Sequence, residues 1–168
     1  MKTRNAFATL TICALLAFTI AAFVNLQKAS ANYMMDCRQL VTGTYLTTNS
    51  GSVGSFRTIL TFAKDGNFFS IVSNESGTPS IVPYSDPQGS WKCTSDREIT
   101  AIALDFIDPT ATSSGQIGRT DYVARFEPNK GIVQATGTIR SFDLNANPLN
   151  DGGLGLGNFT FTGERVKP

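Results

Sequence analysis

From Leu40 to the end of the chain, apolar residues alternate with polar or small ones at a period of two. No stretch there sustains the i, i+3, i+4, i+7 spacing of an amphipathic helix. Eight segments carry the alternation: Leu40–Thr48, Ser55–Ala63, Asn67–Ser73, Gln88–Thr94, Glu98–Ile107, Ile117–Phe126, Ile132–Phe142 and Asn158–Val166. Their Thr, Val, Ile, Phe and Tyr content suits a pleated, half-buried surface. Lys64-Asp65-Gly66 and Pro128-Asn129-Lys130-Gly131 have the composition of tight hairpin turns. The longer connections, Asn74–Pro87, Asp108–Gln116 and Asp143–Gly157, concentrate Gly, Ser, Pro, Asn and Asp and read as exposed loops.

Eight successive strands, mostly joined as hairpins, predict an all-β fold: an eight-stranded antiparallel up-and-down barrel, whose closure removes exposed edges. A two-sheet sandwich is the rival arrangement. Phe56, Thr58, Leu60 and Phe62 share one face of their strand, and Ile102, Leu104 and Phe106 share one face of theirs. Tyr122 and Phe126 lie opposite Arg119, Asp121, Val123 and Arg125, while Phe159 and Phe161 repeat the pattern near the end. Alternation favours the aromatic faces inward. It makes Phe56, Leu60, Phe62, Ile102, Phe106 and Tyr122 the expected lining of an interior that takes a small apolar ligand.

The first thirty residues follow a different pattern. Lys2 and Arg4 precede an apolar run from Ala6 to Val24, and Lys28 is followed by Ala29-Ser30-Ala31. These are the three parts of a secretory signal peptide, with cleavage expected after Ala31. The run of 19 residues is also long enough for a retained anchor, the alternative for this segment. Residues 1–31 are thus a signal helix or uncleaved anchor, and residues 32–168 a single barrel domain, secreted or periplasmic. After cleavage no stable membrane insertion is expected.

Composition sharpens this picture. The 168 residues carry 14 Lys+Arg and 13 Asp+Glu, a net charge of +1, and no histidine. Loss of residues 1–31 removes three basic residues and no acid, which takes the net charge to −2. Neither value provides the basic stripe that nucleic-acid binding requires. Without histidine, Ser-His-Asp and Cys-His catalysis and His-ligated metals are excluded in their usual forms, and no metal or cofactor is expected. Cleavage also removes Cys13, leaving Cys37 and Cys93. An exported chain pairs two such cysteines most simply as a disulfide, worth ~4 kcal/mol in the chain-entropy model, although two separate buried thiols are also compatible.

Gly43-Thr44-Tyr45 stands on the first strand and Phe161-Thr-Gly-Glu-Arg165 on the last. The arrangement resembles lipocalins and their relatives, in which a Gly-x-Trp of the first strand packs beneath an Arg from the closing end. Here Tyr45 takes the place of that Trp. Gly43-Thr44-Tyr45, Phe62-x-x-Asp-Gly-x-Phe68 and Gln88-Gly-Ser-Trp91 together resemble small exported bacterial barrels of the lipocalin or allene-oxide-cyclase type, a likeness that covers most of residues 40–166. It implies a calycin-like barrel. From their own chemistry, Gly43, Tyr45, Trp91 and Arg165 read as a structural plug at one end, or else as an aromatic platform for a ligand.

Asp105, Arg119, Asp121 and Arg125 are the densest charges within predicted strands. They form either a solvated cross-strand ion-pair ladder or, in a polar cavity, a carboxylate acid or base with an Arg to hold an anionic intermediate. Asp143-Leu-Asn145-Ala-Asn147 opens like a calcium loop, but Pro148 and Leu154 stand where Gly and Glu are needed. Gly153-Leu-Gly155-Leu-Gly157 leads into a strand instead of a helix and reads as a flexible loop. Three functions follow from these residues. They are a lipocalin-like barrel binding a small apolar or aromatic ligand, a ligand-free structural or interaction protein of the cell envelope, and a barrel isomerase or cyclase working with Asp and Arg.

Overall fold

The computed structural model describes residues 37–51, 54–127, 130–150 and 152–167; residues 1–31, expected to be a signal peptide or anchor, lie outside them. Eight strands follow one another: β1 (Gly43–Gly51), β2 (Gly54–Phe62), β3 (Asn67–Val72), β4 (Gln88–Cys93), β5 (Glu98–Ile107), β6 (Gln116–Glu127), β7 (Ile132–Asp143) and β8 (Leu154–Arg165). Each pairs antiparallel with the next, and β1 pairs with β8 from Tyr45↔Arg165 to Gly51↔Phe159. The result is a closed up-and-down barrel in the order of the sequence. Closure gives every strand two neighbours, so none presents a free edge.

Two boundaries differ from the alternation. The first predicted strand began at Leu40, but residues 37–41 form a helical turn and β1 starts at Gly43. The turn buries Cys37 and Val41 under one end of the barrel, and the Tyr45 hydroxyl donates to the Val41 carbonyl at 3.0 Å. At the other end of the chain, the Gly-Leu-Gly-Leu-Gly stretch is largely strand, not loop. β8 begins at Leu154 because β7 runs on to Asp143 and pairs Ser141 with Leu154 and Arg140 with Gly155, past a register shift at Ile139/Arg140. Long β7 supplies the ladder, and glycine does not prevent its use.

The closed end is a packed cluster of rings. Phe62 stands at its centre, with centroids 5.0 Å from Phe68, 5.6 Å from Phe126 and 5.9 Å from both Tyr45 and Trp91. Most of these contacts are edge-to-face, the orientation the ring quadrupole favours. Trp91 satisfies its indole N–H on the Ala63 carbonyl at 2.9 Å. The Arg165 guanidinium lies 5.4 Å from the Tyr45 ring centroid and donates to the carbonyls of Leu40 and Thr42. Gly43 leaves room for it, since a Cβ there would stand 3.1 Å from Arg165 Nε. Cys37 and Cys93 form a disulfide that fastens the helical turn to the end of β4.

Candidate functional site

Above this cluster the inner faces diverge around a cavity of about 380 Å3. β2 contributes Phe56, Thr58 and Leu60, β6 contributes Thr120 and Tyr122, and β8 contributes Phe159 and Phe161. Side chains two apart on a strand point the same way, so each strand presents a short column to the same space. Phe159 packs 6.1 Å from Phe56, 6.0 Å from Tyr122 and 6.2 Å from Phe161. Gly137 makes room for this column, because a Cβ there would stand 2.2 Å from the Phe159 ring. Asn49, 2 % exposed, is anchored in the wall beside Phe56, donating to Thr58 Oγ1 at 2.7 Å and to the Phe56 carbonyl at 3.2 Å.

The remaining wall comes from the β3–β4 connection. β3 and β4 share only three register pairs, Asn67↔Ser90 to Phe69↔Gln88, and the intervening chain then crosses towards the upper half of β5. There it continues the sheet: Tyr84 bridges Ile107, the Ser85 N–H donates to the Phe106 carbonyl at 2.9 Å, and the Asp108 N–H donates to the Pro83 carbonyl at 2.9 Å. This excursion brings Ile81, Val82 and Tyr84 onto the cavity, with the Tyr84 hydroxyl donating to Asn74 Oδ1 at 2.8 Å. The segment read as an exposed loop is therefore part of the lining.

The expected lining residues separate into three groups. Phe56, Leu60 and Tyr122 border the cavity, whereas Phe62 belongs to the ring cluster beneath it. Ile102 and Phe106 point the other way. On β5 the inward face is Ile99, Ala101, Ala103 and Asp105, and Phe106 is 63 % exposed. The apolar triad of β5 is thus on the outer surface, opposite to the expectation. The register explains it: Ala101 lies between Trp91 on β4 and Tyr122 on β6, which fill the interior at that level and leave space only for a methyl group.

The same reversal puts Asp105 on the cavity. Its carboxylate lies over Gly118, its register partner on β6, where any side chain would displace it. Burial raises its pKa from the ordinary 3.8 to about 6. Burial, followed by the Asp105 charge, holds the Tyr122 hydroxyl well above the usual tyrosine range; burial, Glu75 and Asp105 do so for Tyr84. Glu75 is itself pushed upward, first by burial and then by Asp86 and Asp105, although the Val72 N–H bond opposes this.

Arg119, Asp121 and Arg125 do not join Asp105. They occupy the outer face of β6, so the barrel wall divides the four charges proposed as one constellation. Asp121 instead binds Arg119 at 2.6 Å and Arg140 of β7 at 2.6 Å. The β7–β8 connection folds over this triad. Arg119 Nη1 donates to the Pro148 carbonyl at 2.9 Å, and Arg140 Nη1 donates to the Gly152 carbonyl at 3.1 Å. Arg119, outward-facing yet 7 % exposed, is covered by that loop. No group of three or more metal-ligating side chains occurs among the described residues.

Phe159, Phe161 and Asp105 are lining residues that the expectation omitted. The alternation of β8 already placed its two phenylalanines together, and their common face was the available signal. For Asp105 the signal was weaker: a single acid on a face otherwise made of small residues. Fold and site together define a class, a closed eight-stranded antiparallel barrel with an aromatic-walled cavity at one end. No protein-family model, curated protein or solved structure matches the chain.

Proposed function

We propose that this chain is an exported barrel that holds a small apolar or aromatic molecule in its interior. The cavity of about 380 Å3 walled by Phe56, Tyr122, Phe159 and Phe161 carries the reading. Small-molecule sites typically occupy ~300–1,000 Å3, with mainly apolar walls and few polar groups. Export is supported by the charged, apolar and small-residue succession of the first thirty residues and by the Cys37–Cys93 disulfide, which suits an oxidising compartment. The likeness to lipocalin-type barrels belongs to the same proposal. In both, an aromatic on the first strand meets an Arg from the last at the closed end, here Tyr45 and Arg165.

The test is saturable binding of a neutral hydrophobic fluorophore, N-phenyl-1-naphthylamine, to the secreted protein. One probe per chain is expected, with loss of binding when Ile139→Trp fills the cavity. Native mass spectrometry of protein from its own host should show added mass from a co-purifying small molecule. Absence of both saturable binding and added mass overturns the reading.

A further inference from the structure

The cavity lining is unequal in charge. Among the described residues that border it, Asp105 is the only acid, and no Lys or Arg is present. The ion pairs of the described residues lie elsewhere: Arg119 and Arg140 hold Asp121 outside the wall, and Lys130 holds Glu127 at the opposite end of β6. Glu75 adds charge of the same sign near Asp105. Resting on the binding function above, we propose that the ligand is an amphiphilic organic cation. Its ammonium group lies against the Asp105 carboxylate, and its apolar body lies among Phe56, Phe159 and Phe161.

Three features support this assignment. The carboxylate reaches the cavity through a space built for it, since its register partner is Gly118 and a Cβ there would meet Oδ1 at 2.1 Å. Its surroundings are aromatic, so a cation drawn to it also meets ring faces that attract positive charge. Finally, the low polarity of the walls strengthens an ion pair formed inside them, and the same acids oppose entry of a carboxylate ligand.

Three probes with the same ring separate charge recognition from simple apolar binding: 2-(1-naphthyl)ethylamine, 2-(1-naphthyl)ethanol and 1-naphthylacetate, titrated calorimetrically at pH 7.5. The amine is expected to bind about tenfold more tightly than the alcohol, the increment of a charge-assisted hydrogen bond, with the anion weakest. Asp105→Asn should abolish the preference for the amine over the alcohol. Near-ultraviolet circular dichroism of the aromatic cluster reports that the variant is folded. Equal affinity of amine and alcohol for the unsubstituted protein, or an amine preference that survives Asp105→Asn, overturns the cation assignment and leaves the apolar-binding function standing. Failure of all three probes to bind overturns the cation assignment, and the N-phenyl-1-naphthylamine titration with native mass spectrometry then decides the apolar-binding function separately.

Discussion

Asp105 and Gly118 face each other across β5 and β6, and the absent side chain of one is the space occupied by the other. The carboxylate is held over bare backbone on the inner wall, and only a glycine partner allows it. This relationship converts one acid on a small-residue face into the charged feature of the cavity.

Gly118→Ala should therefore move the carboxylate without breaking the barrel. The atoms nearest the added methyl group all belong to the Asp105 side chain, which can rotate away. A cost below about 1 kcal/mol in urea unfolding is expected, with amine affinity reduced towards that of the neutral probe. Gly89→Ala provides the contrast. Its methyl group would stand 1.8 Å from the Ile102 carbonyl oxygen, a backbone atom within the β4–β5 ladder. That variant should lose about 3 kcal/mol or more, or fail to accumulate as a folded protein.

The pH dependence of stability has a definite sign. Asp105 has an ordinary pKa of 3.8 and a folded value of about 6. Between those values the folded chain retains a proton that the unfolded chain has released, so stability falls as pH rises through the window. Above pH 6 the full penalty is present, on the order of 1–3 kcal/mol. Asp105→Asn should flatten this part of the profile and stabilise the protein at pH 7.5. Urea unfolding of both proteins from pH 4 to pH 8 checks it. A wild-type stability that rises with pH across the interval would contradict the placement of Asp105. Glu75, also shifted upward by burial, leaves a slope of the same sign in the variant.

Most of the barrel was legible because period-two alternation and turn residues are local signals. The facing of β5 was not. Ile102, Leu104 and Phe106 are larger and more apolar than Ala101, Ala103 and Asp105, and on one strand alone they look like the core face. The decision belongs to the neighbours: Trp91, Tyr122 and Phe68 fill the interior, so the strand between them must present small residues. Interior volume is shared among eight strands, and no single strand reports it. The helical turn at residues 37–41 was hidden for a related reason, since its five residues are too few for a period and are held by Tyr45, Arg165 and the disulfide.

The disulfide should act mainly at that closed end. Cys37 and Cys93 are 56 positions apart, and their bond is the covalent tie between the helical turn and β4. Replacing both by Ser should cost about 2–5 kcal/mol. Hydrogen exchange should quicken first at Val41 and Thr42, whose turn then loses its covalent tie and keeps the hydrogen bonds of Arg165 and Tyr45 and the packing of Val41. Uniform acceleration over all eight strands, with no early loss at the turn, would count against this local role.

Asp121 holds the opposite face of the wall. Burial pushes its pKa upward, but hydrogen bonds and charge from Arg119 and Arg140 prevail and keep it below the usual aspartate range. A lowered pKa contributes stability that is present at neutral pH and lost as pH falls through the folded value, the reverse of Asp105. Asp121→Asn removes the negative charge and one of the two oxygens that serve Arg119 and Arg140, and turns an NH2 donor towards one guanidinium, while the nearly buried Arg119 keeps its backbone carbonyl partners. A loss of about 1–3 kcal/mol is expected at pH 7. Its distinctive sign is positional: exchange should accelerate in residues 144–150, which rest on Arg119 through the Pro148 and Asn150 carbonyls. Because Asp121 lies outside the barrel and the cavity inside, binding of the neutral naphthyl probe should be unchanged. If probe binding fell in step with loop protection, the wall would not separate the two sites as its strand faces require.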